Sequence, residues 1–520
     1  MSFIHKDVKR LNTPTRVSSE EQGTISNAAR LQELGLHAEL EPTFSLTTLL
    51  CLSLCIMATW EAVAAVVAQA LAGGGVPCFV YNYIITFVCT VATAASLAEI
   101  ASIYPTAGGQ YHWVTALFPG RGKKIMSWLT GWISIGGQIV FTASAAFSAA
   151  LMIQGLIILH NTNYSPERWH GLLLYWAVLT CALLMNTFGY RSLSGANLVA
   201  GFIHIVGFIV IFVTLGVKSE KNTTASVFTT LSNVTGWQSD GIAWLTGLIS
   251  TVFPFLGYDA ACHLAEELPN ASRNVPLAML GSVILNGVMG LGFVFMLAFS
   301  TGPLKEILAT PTGFPFIMIF NEATKSAGFT TVLVMFIIAI AVVAAVAGLT
   351  STSRTFWAFA RDDAVPFSKY FSKVSSGKRM KKKIPTHAIV LIFTLNMLLG
   401  LIYVGNTTAF NAVLSMSIFG MYLSYMLPII AMLFFGRNSL QPSGYGRFKL
   451  SRWLGISCNA VALAWSTLAI VFSTFPTQIP VTAADMNYSS AITVGWVVIG
   501  LVFYLSNGRH HFQMPVVTVK

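Results

Sequence analysis

Two short polar interruptions inside long apolar stretches hold the residue types best suited to chemistry in this sequence. One is Thr59-Trp60-Glu61, and the other runs from Pro254 through Gly257 to Asp259. Proline removes a backbone donor from a helix and glycine lowers its propensity, so the chain is expected to unwind near 254–257. Within a bilayer, freed backbone groups are tolerated only where protein buries them or where they line a cavity. Both segments are therefore candidate binding segments.

The two acids in these segments require a specific environment. A carboxylate at the centre of a bilayer costs roughly 2.5–3.5 kcal/mol, so each acid must face a cavity, a cation or a proton partner. Glu61 is interpreted as an anionic wall for a substrate ammonium group, as a proton carrier, or as a protonated acid hydrogen-bonded within the bundle. Asp259 either belongs to the same wall or caps the helix that follows it.

Aromatic residues beside both acids could surround a small cation. Cation–π contact with an aromatic ring is worth about 0.5–2 kcal/mol, and a substrate carboxylate would bind freed N–H groups at the half-helix ends. The predicted substrate-binding set is Thr59, Trp60, Glu61, Phe253, Phe255, Gly257, Tyr258 and Asp259.

The elements that position these residues are predicted to be membrane-spanning helices. The 520 residues are 55% hydrophobic and 9% charged, with a mean hydropathy of +0.69, which excludes an ordinary soluble protein. A spanning helix needs about 20 apolar residues. Runs of this kind predict one all-α domain (44–507) between cytosolic tails (1–43 and 508–520). Its spans are 46–71, 76–99, 126–158, 168–189, 195–216, 243–264, 276–300, 328–353, 386–404, 409–435, 454–475 and 490–507.

The charge distribution predicts the orientation. With both termini in the cytosol, the inner segments hold 25 of the 30 Lys and Arg residues and the outer loops hold five, as the positive-inside rule requires. This asymmetry explains the net charge of +11 without any nucleic-acid partner. We expect a multi-pass membrane protein with both termini in the cytosol.

Sequons and cysteines add two minor expectations. Five N-x-S/T triplets fall in predicted outer loops, and one, at Asn270, falls in an inner loop. Glycosylation is therefore predicted at Asn163, Asn222, Asn233, Asn406 and Asn487. The seven cysteines show no metal-ligand spacing, so we expect no metal, no cofactor and no disulfide framework.

The loop after the second predicted span carries a helix break followed by polar and aromatic residues. Its sequence is SLAEIASIYPTAGGQYHW (96–113). Two adjacent glycines permit close backbone approach. Tyr and Trp are typical of a membrane interface, so a tight turn with interfacial anchors is one interpretation.

Several long motifs make the chain resemble a known family. Four segments are similar to the fungal amino acid/choline transporter family. They are residues 96–113, EELPNASRNVP (266–276), SRTFWAFARDDAVPFS (353–368) and the segment RLQELGLHAEL…FSL that leads into span 1 (30–46). This family belongs to the amino acid–polyamine–organocation superfamily and includes choline and γ-aminobutyrate permeases. The resemblance covers residues 27–507 and implies twelve helices in the leucine-transporter-type fold. In that fold, spans 1–5 and 6–10 form an inverted repeat, followed by two extra helices. The resemblance also implies the plasma membrane as the location, with the vacuolar membrane as the alternative.

The resemblance pairs the two polar interruptions across one substrate site. In such folds the first helix of each repeat is discontinuous, and the substrate lies between them near the midplane. The family commonly has a glycine-containing break in span 1, but this sequence has no glycine or proline between Pro42 and Gly73. The polar triplet is the only interruption there, so the sequence leaves the position of unwinding open.

Coupling to protons is predicted from His204 in the fifth span. The resemblance implies that a basic residue here replaces the sodium site of sodium-coupled relatives, and an ordinary histidine pKa near 6.5 suits proton transfer. A hydrogen-bonded packing histidine is the alternative. Sodium would need hydroxyls of span 8 near span 1, but 350–353 lie near the predicted cytosolic end.

Charged residues at the inner ends of spans 6 and 8 have two interpretations. Glu266, Glu267 and Arg273 are expected near the Arg-Asp-Asp turn at 361–363. They form either a salt-bridge gate or a solvated cluster, and the low value of exposed pairs favours the cluster.

The function indicated is secondary active transport. The sequence contains no HExxH, nucleophile elbow or P-loop pattern, so neither an enzyme nor an ATP-driven pump is expected. The predicted substrate is a small amino- or quaternary-ammonium solute, such as an amino acid, γ-aminobutyrate, choline or a polyamine, taken up with protons. A permease-like nutrient sensor is the alternative, although tails of about 43 and 13 residues leave no room for a signalling domain.

Overall fold

A computed structural model describes residues 44–161, 163–189, 193–374, 384–405, 409–440, 445–482 and 486–515. Within these residues, twelve helical segments are long and apolar enough to cross a membrane, which confirms the predicted all-α fold. Spans 1–6 are Leu46–Val66, Ala68–Ile103, Lys123–His160, Arg168–Thr187, Leu193–Lys218 and Asp240–His263. Spans 7–12 are Ala271–Ser300, Ala327–Arg361, Thr386–Gly405, Ala412–Gly436, Arg452–Ser473 and Ser489–His511.

The boundary between spans 1 and 2 differs from the predicted one. A helix extends over Ala68–Ile103, but it is kinked at Gly75, whose φ is 74° and ψ is −161°. The chain therefore reverses direction at Gly75, and the residues just before it continue span 1. The predicted boundary between spans 1 and 2, at 71–76, includes this reversal at Gly75. The helix of span 2, however, already begins at Ala68.

Spans 1 and 6 form the centre of the molecule. In the most apolar 18-residue stretches of these two spans, 83% and 78% of the residues are buried. In spans 9 and 12 the corresponding shares are 28% and 22%. The first pair is therefore enclosed by other helices, and the second pair lies at the perimeter.

Both central spans are interrupted at mid-length. Span 1 divides at Ala58, whose φ and ψ are both 45°, into helices Leu46–Met57 and Thr59–Val66. Span 6 passes from helix Ile249–Val252 into a 3₁₀ turn, Phe253–Phe255, and then through an extended Leu256. The break predicted at 254–257 is thus confirmed. In span 1 the chain unwinds one residue before the polar triplet, which begins the second half-helix.

A short buried helix, Gln110–Leu117, follows the turn that connects it to the end of span 2 at Ile103. Its first four residues are all buried, and Trp113 Nε1 donates to the carbonyl of Tyr104 at 2.9 Å. The interpretation of this loop as a turn with interfacial anchors is therefore wrong. The segment folds back into the bundle.

Candidate functional site

A small cavity lies between the two interrupted spans. It measures about 30 Å³, enough for one or two water molecules but too small for an organic solute. Its walls come from both halves of span 1, from spans 3 and 8, and from the break in span 6. They include Ala58, Glu61, Ala65, Phe141, Ser148 and Phe253.

Among the described residues that line this cavity, Glu61 alone carries a charged side chain. It is paired with His204 in span 5. Glu61 Oε1 lies 2.7 Å from His204 Nδ1, and both side chains are almost fully buried. Glu61 Oε2 and His204 Nε2 have no hydrogen-bond partner within the described part of the chain. One carboxylate oxygen of this cavity-lining residue thus has no protein partner in that part of the chain.

The predicted aromatic residues divide between the cavity and its surroundings. Phe253 lines the cavity, with its ring 5.9 Å from that of Phe141. Trp60 points toward spans 5 and 7, where its ring lies 5.9 Å from His204 and 5.4 Å from Phe293. Phe255 packs against span 2, 5.2 Å from Tyr83 and 5.8 Å from Phe87.

Two further predicted residues, Gly257 and Thr59, lie next to residues of the cavity wall without lining the cavity themselves. Gly257 has φ 96°, and a Cβ atom there would lie 3.0 Å from the ring of Phe141 and 3.7 Å from Ile56. Only glycine adopts this conformation without strain. Thr59 is fully buried, and its hydroxyl has no partner among the described residues. Span 6 therefore approaches span 1 and span 3 closely at its break.

Asp259 belongs to a separate polar network beneath the cavity. Gln110 Nε2 donates to Asp259 Oδ2 at 2.8 Å, and Tyr425 Oη donates to Oδ1 at 2.7 Å. His263 Nε2 lies 3.3 Å from Oδ2, and the ring of Tyr258 is 5.5 Å from that of Tyr425. Asp259 makes no side-chain cap, so the capping alternative is wrong. Instead, the carboxylate joins span 6 to the Gln110–Leu117 helix and span 10.

Buried ion pairs close the inner end, meaning the end at which span 1 begins. Glu267 pairs with Arg354 at 3.0 Å, and Arg361 binds Glu266 through two hydrogen bonds of 3.0 and 3.1 Å. Because Glu266, Glu267 and Arg354 are buried, the solvated-cluster interpretation is wrong for them. Arg273 is exposed and lies outside these pairs.

The turn after span 8 adds a hydrogen bond to this closure. Tyr111 Oη donates to Asp362 Oδ2 at 2.8 Å. Burial raises the pKa of the Asp362 carboxyl to about 7, because desolvation disfavours the charged form. The same turn is fixed by the backbone N–H of Gln513, which donates to the Asp362 carbonyl at 2.9 Å.

A larger cavity of about 420 Å³ occupies the opposite, outer end. Gln69, Gln154, Glu167 and Arg168 contribute polar groups to its walls. Ala65 lines both this vestibule and the central cavity. The two cavities are therefore neighbours, whereas ion pairs separate the central cavity from the inner end.

The hydroxyls of span 8 lie away from the break in span 1. Thr350 donates to Asn186 Oδ1 at 2.7 Å, and Thr352 lies 3.2 Å from the Thr142 hydroxyl. Ala58 instead packs in a small apolar cluster with Ala200 and Ile340. These two hydroxyls of span 8 are thus engaged with spans 4 and 3 rather than with the break in span 1.

Sequence reasoning missed several residues of the site. Phe141 and Ser148 line the cavity from span 3, and Ala341 and Ala344 line it from span 8. The small residues of FTASAAFSAA (141–150) are a usable signal, since they permit close helix packing. The pairing of Glu61 with His204 had no local signal.

The predicted glycosylation sites differ in their surroundings. Asn163 is exposed, Asn222 and Asn233 are half-buried, and Asn406 lies outside the described residues. Asn487 is buried, and its amide nitrogen donates to Ser415 and to two backbone carbonyls. Modification of these residues stays a prediction.

Comparison with known proteins identifies extensive similarity. Residues 44–499 match a family model described as amino acid permease. The chain is 29% identical to a choline transporter of Saccharomyces cerevisiae over 91% of its own length and 83% of that protein. It is 31% identical to a putative amino acid/polyamine transporter of Macrophomina phaseolina over 86% and 97% of the two chains. It is also 29% identical to the amino-acid permease BAT1 of Arabidopsis thaliana over 94% and 96%.

Proposed function

Because this chain belongs to the amino acid permease family and is a multi-pass membrane transporter, we propose that it takes up a small amino- or quaternary-ammonium solute together with protons. Relatives named as choline, amino acid or polyamine transporters support this range of substrates. The plasma membrane is the proposed location, with both termini in the cytosol.

The free oxygen of Glu61 is the observation that carries the proposal. It is a buried acceptor without a partner in the described residues, and Glu61 lines a cavity whose other walls are mainly small, aliphatic or aromatic. A buried anion beside aromatic rings is suited to an ammonium group. We place the substrate ammonium between Glu61 and Phe253.

The Glu61–His204 pair provides the site for the coupling proton. When His204 is protonated, its Nδ1–H donates to Glu61 Oε1, and the carboxylate stays ionised for the substrate through Oε2. When the proton leaves, the imidazole no longer neutralises the acid. A desolvated carboxylate with neither a cation nor a proton is costly, so release of the proton favours a change of conformation. The engagement of Thr350 and Thr352 with spans 4 and 3 supports protons rather than sodium as the coupling ion.

In the proposed cycle, the outer end and the inner end of the transporter open in turn. The substrate enters from the outer vestibule, and the central cavity widens around it beside Ala65 and Phe253. Release to the inner side requires separation of the Glu266–Arg361 and Glu267–Arg354 pairs. It also requires Asp259 to exchange its contacts with Gln110 and Tyr425. These contacts therefore act as the inner gate.

Uptake measurements test the proposal. The protein would be expressed in a permease-deficient yeast and supplied with radiolabelled choline, γ-aminobutyrate, polyamines and neutral amino acids. We expect uptake of at least one solute, abolished by a protonophore and unaffected by replacing sodium. Binding without uptake of any solute would favour the sensor, and a sodium requirement would contradict the role of His204.

Substitution of Glu61 separates its alternatives. With Glu61→Gln we expect the KM of a cationic solute to rise about 100-fold, since loss of one partner of a buried charge pair costs roughly 2–5 kcal/mol. A zwitterion, with its own carboxylate, should lose less. Glu306→Gln, an exposed acid, is the control. Equal loss for both solutes would instead assign Glu61 a structural or purely proton-carrying role.

A further inference from the structure

An apolar crevice opens on the perimeter of the bundle between spans 3, 9, 10 and 12. Its volume is about 280 Å³, and every lining residue except Thr493 is apolar or glycine. Leu398, Ile402 and Ile492 at its mouth are 55%, 47% and 40% exposed. Ile139 and Val140 of span 3 form its buried back wall. The opening therefore faces the surroundings of the bundle, and in a membrane those surroundings are hydrocarbon.

Close backbone packing makes this crevice a preformed feature. A Cβ atom on Gly137 would lie 2.8 Å from the backbone of Gly420, so spans 3 and 10 are in direct contact there. Trp132 and Trp496 stack at 4.6 Å, and each indole N–H donates to the other residue's carbonyl at 2.9 Å. Spans 3 and 12 are thus fixed to each other beside the recess, and the walls cannot collapse into it.

The chemistry of the crevice argues against water as its occupant. Water needs two to four polar partners, and the lining does not provide them. A cavity left empty destabilises a protein in proportion to its volume.

We propose that this crevice binds an acyl chain of a membrane lipid. Such a chain is apolar, thin and flexible, so it can bend past Leu398 and Ile402 into the recess. The lining residues 492–496 lie about 5–10 Å along span 12 from its first residue, Ser489, which places the site within the hydrocarbon rather than at the headgroups.

The bound chain would support the wall of the substrate cavity. Val140 lines the crevice, and the next residue, Phe141, lines the central cavity. Phe141 also approaches Gly257 at the break of span 6. The lipid chain and the substrate thus contact adjacent residues of span 3.

Photolabelling tests this inference without requiring transport activity. The full-length protein would be reconstituted with phosphatidylcholine carrying a diazirine within one acyl chain, irradiated, digested and analysed by mass spectrometry. We expect labelling within 133–140, 395–402 and 492–496. Thr493→Phe and Leu399→Trp, which fill the crevice from two different spans, should each lose this labelling. Val498→Phe, at a 49% exposed position outside the lining, should keep it.

Three outcomes would overturn the proposal. Equal labelling in the filled variants would mean ordinary contact with surrounding lipid. Preferential labelling of the crevice by a photoreactive sterol would assign a sterol site. Cross-links between two copies at these residues would assign an oligomer interface. Elution of each variant as a single peak in size exclusion distinguishes loss of the site from loss of the fold.

Discussion

At the scale of single residues, Ala58 determines how the central helix is broken. An L-residue in the left-handed region costs roughly 1–2 kcal/mol, yet Ala58 adopts φ 45°. Two backbone bonds hold it, from Ala58 N–H to Leu54 and from Ala62 N–H to Ala58. Packing against Cys55, in a cluster with Ala200 and Ile340, encloses it. Tertiary contacts therefore impose the strain.

This strain leads to a prediction about Ala58. Glycine is relaxed in the left-handed region, so Ala58→Gly should keep uptake and change the free energy of unfolding by less than about 1 kcal/mol. A β-branched residue is a true outlier there, so Ala58→Val should abolish uptake and lower stability. Uptake and thermal unfolding followed by tryptophan fluorescence would measure both effects. Ala92→Val in an ordinary helical position is the control, and tolerance of Ala58→Val would contradict the strained break.

Residue types were predictable from the sequence, whereas their partners were not. A carboxylate within an apolar helix indicates a functional position, because placing a charge in the bilayer costs free energy. This argument identified Glu61 and Asp259. Their partners His204, Gln110 and Tyr425 are 143, 149 and 166 residues away along the chain. Such distant pairing depends on how the helices pack, which no local pattern contains.

At the scale of elements, the two breaks were not equally predictable. Pro254 and Gly257 disfavour a helix by their own chemistry, so the break of span 6 could be located from the sequence. Alanine is the best helix former, and nothing at Ala58 predicts unwinding. The Gln110–Leu117 helix is a related case, because Tyr and Trp occur both at interfaces and in buried contacts.

The turn after span 8 leads to a prediction about pH. Asp362 accepts from Tyr111, lies 4.0 Å from Arg361, and is close to the charges of Glu266 and Asp363. Its folded-state pKa of about 7 exceeds the ordinary value near 3.8, so the folded state binds the proton more tightly. The stability contributed by Asp362 is complete below the ordinary pKa and is lost as pH rises through 7.

Replacing Asp362 should therefore flatten the pH dependence of stability. Between pH 6 and pH 8 the wild-type protein should lose about 1.4 kcal/mol through this group, seen as a lower melting temperature at pH 8. Asp362→Asn should remove that part of the slope, and Glu306→Gln should retain it. An unchanged slope in Asp362→Asn would show that another group titrates.

At the scale of the whole molecule, the positions of the apolar runs were sufficient to predict the number of spans. Twelve apolar runs predicted twelve spans, and the observed bounds agree closely except around Gly75 and at the end of span 8, which extends to Arg361 instead of 353. The reason is physical, because every backbone polar group in a bilayer must be satisfied within its own helix. The cavities formed between helices depend on side-chain packing, and neither the vestibule nor the lipid crevice could be predicted.

The orientation of the whole molecule gives a last prediction. Lys and Arg are concentrated on the side predicted to be cytosolic, and the positive-inside rule then places the loop between spans 3 and 4 outside. Asn163 in that loop and Lys373 after span 8 are both exposed. In intact cells, a membrane-impermeant maleimide should label Asn163→Cys and should label Lys373→Cys only after permeabilisation. The native cysteines lie in or beside spans, so the unsubstituted protein measures the background. The reverse pattern would mean that the outer vestibule opens to the cytosol, and that the ion pairs of Glu266 and Glu267 close the opposite face.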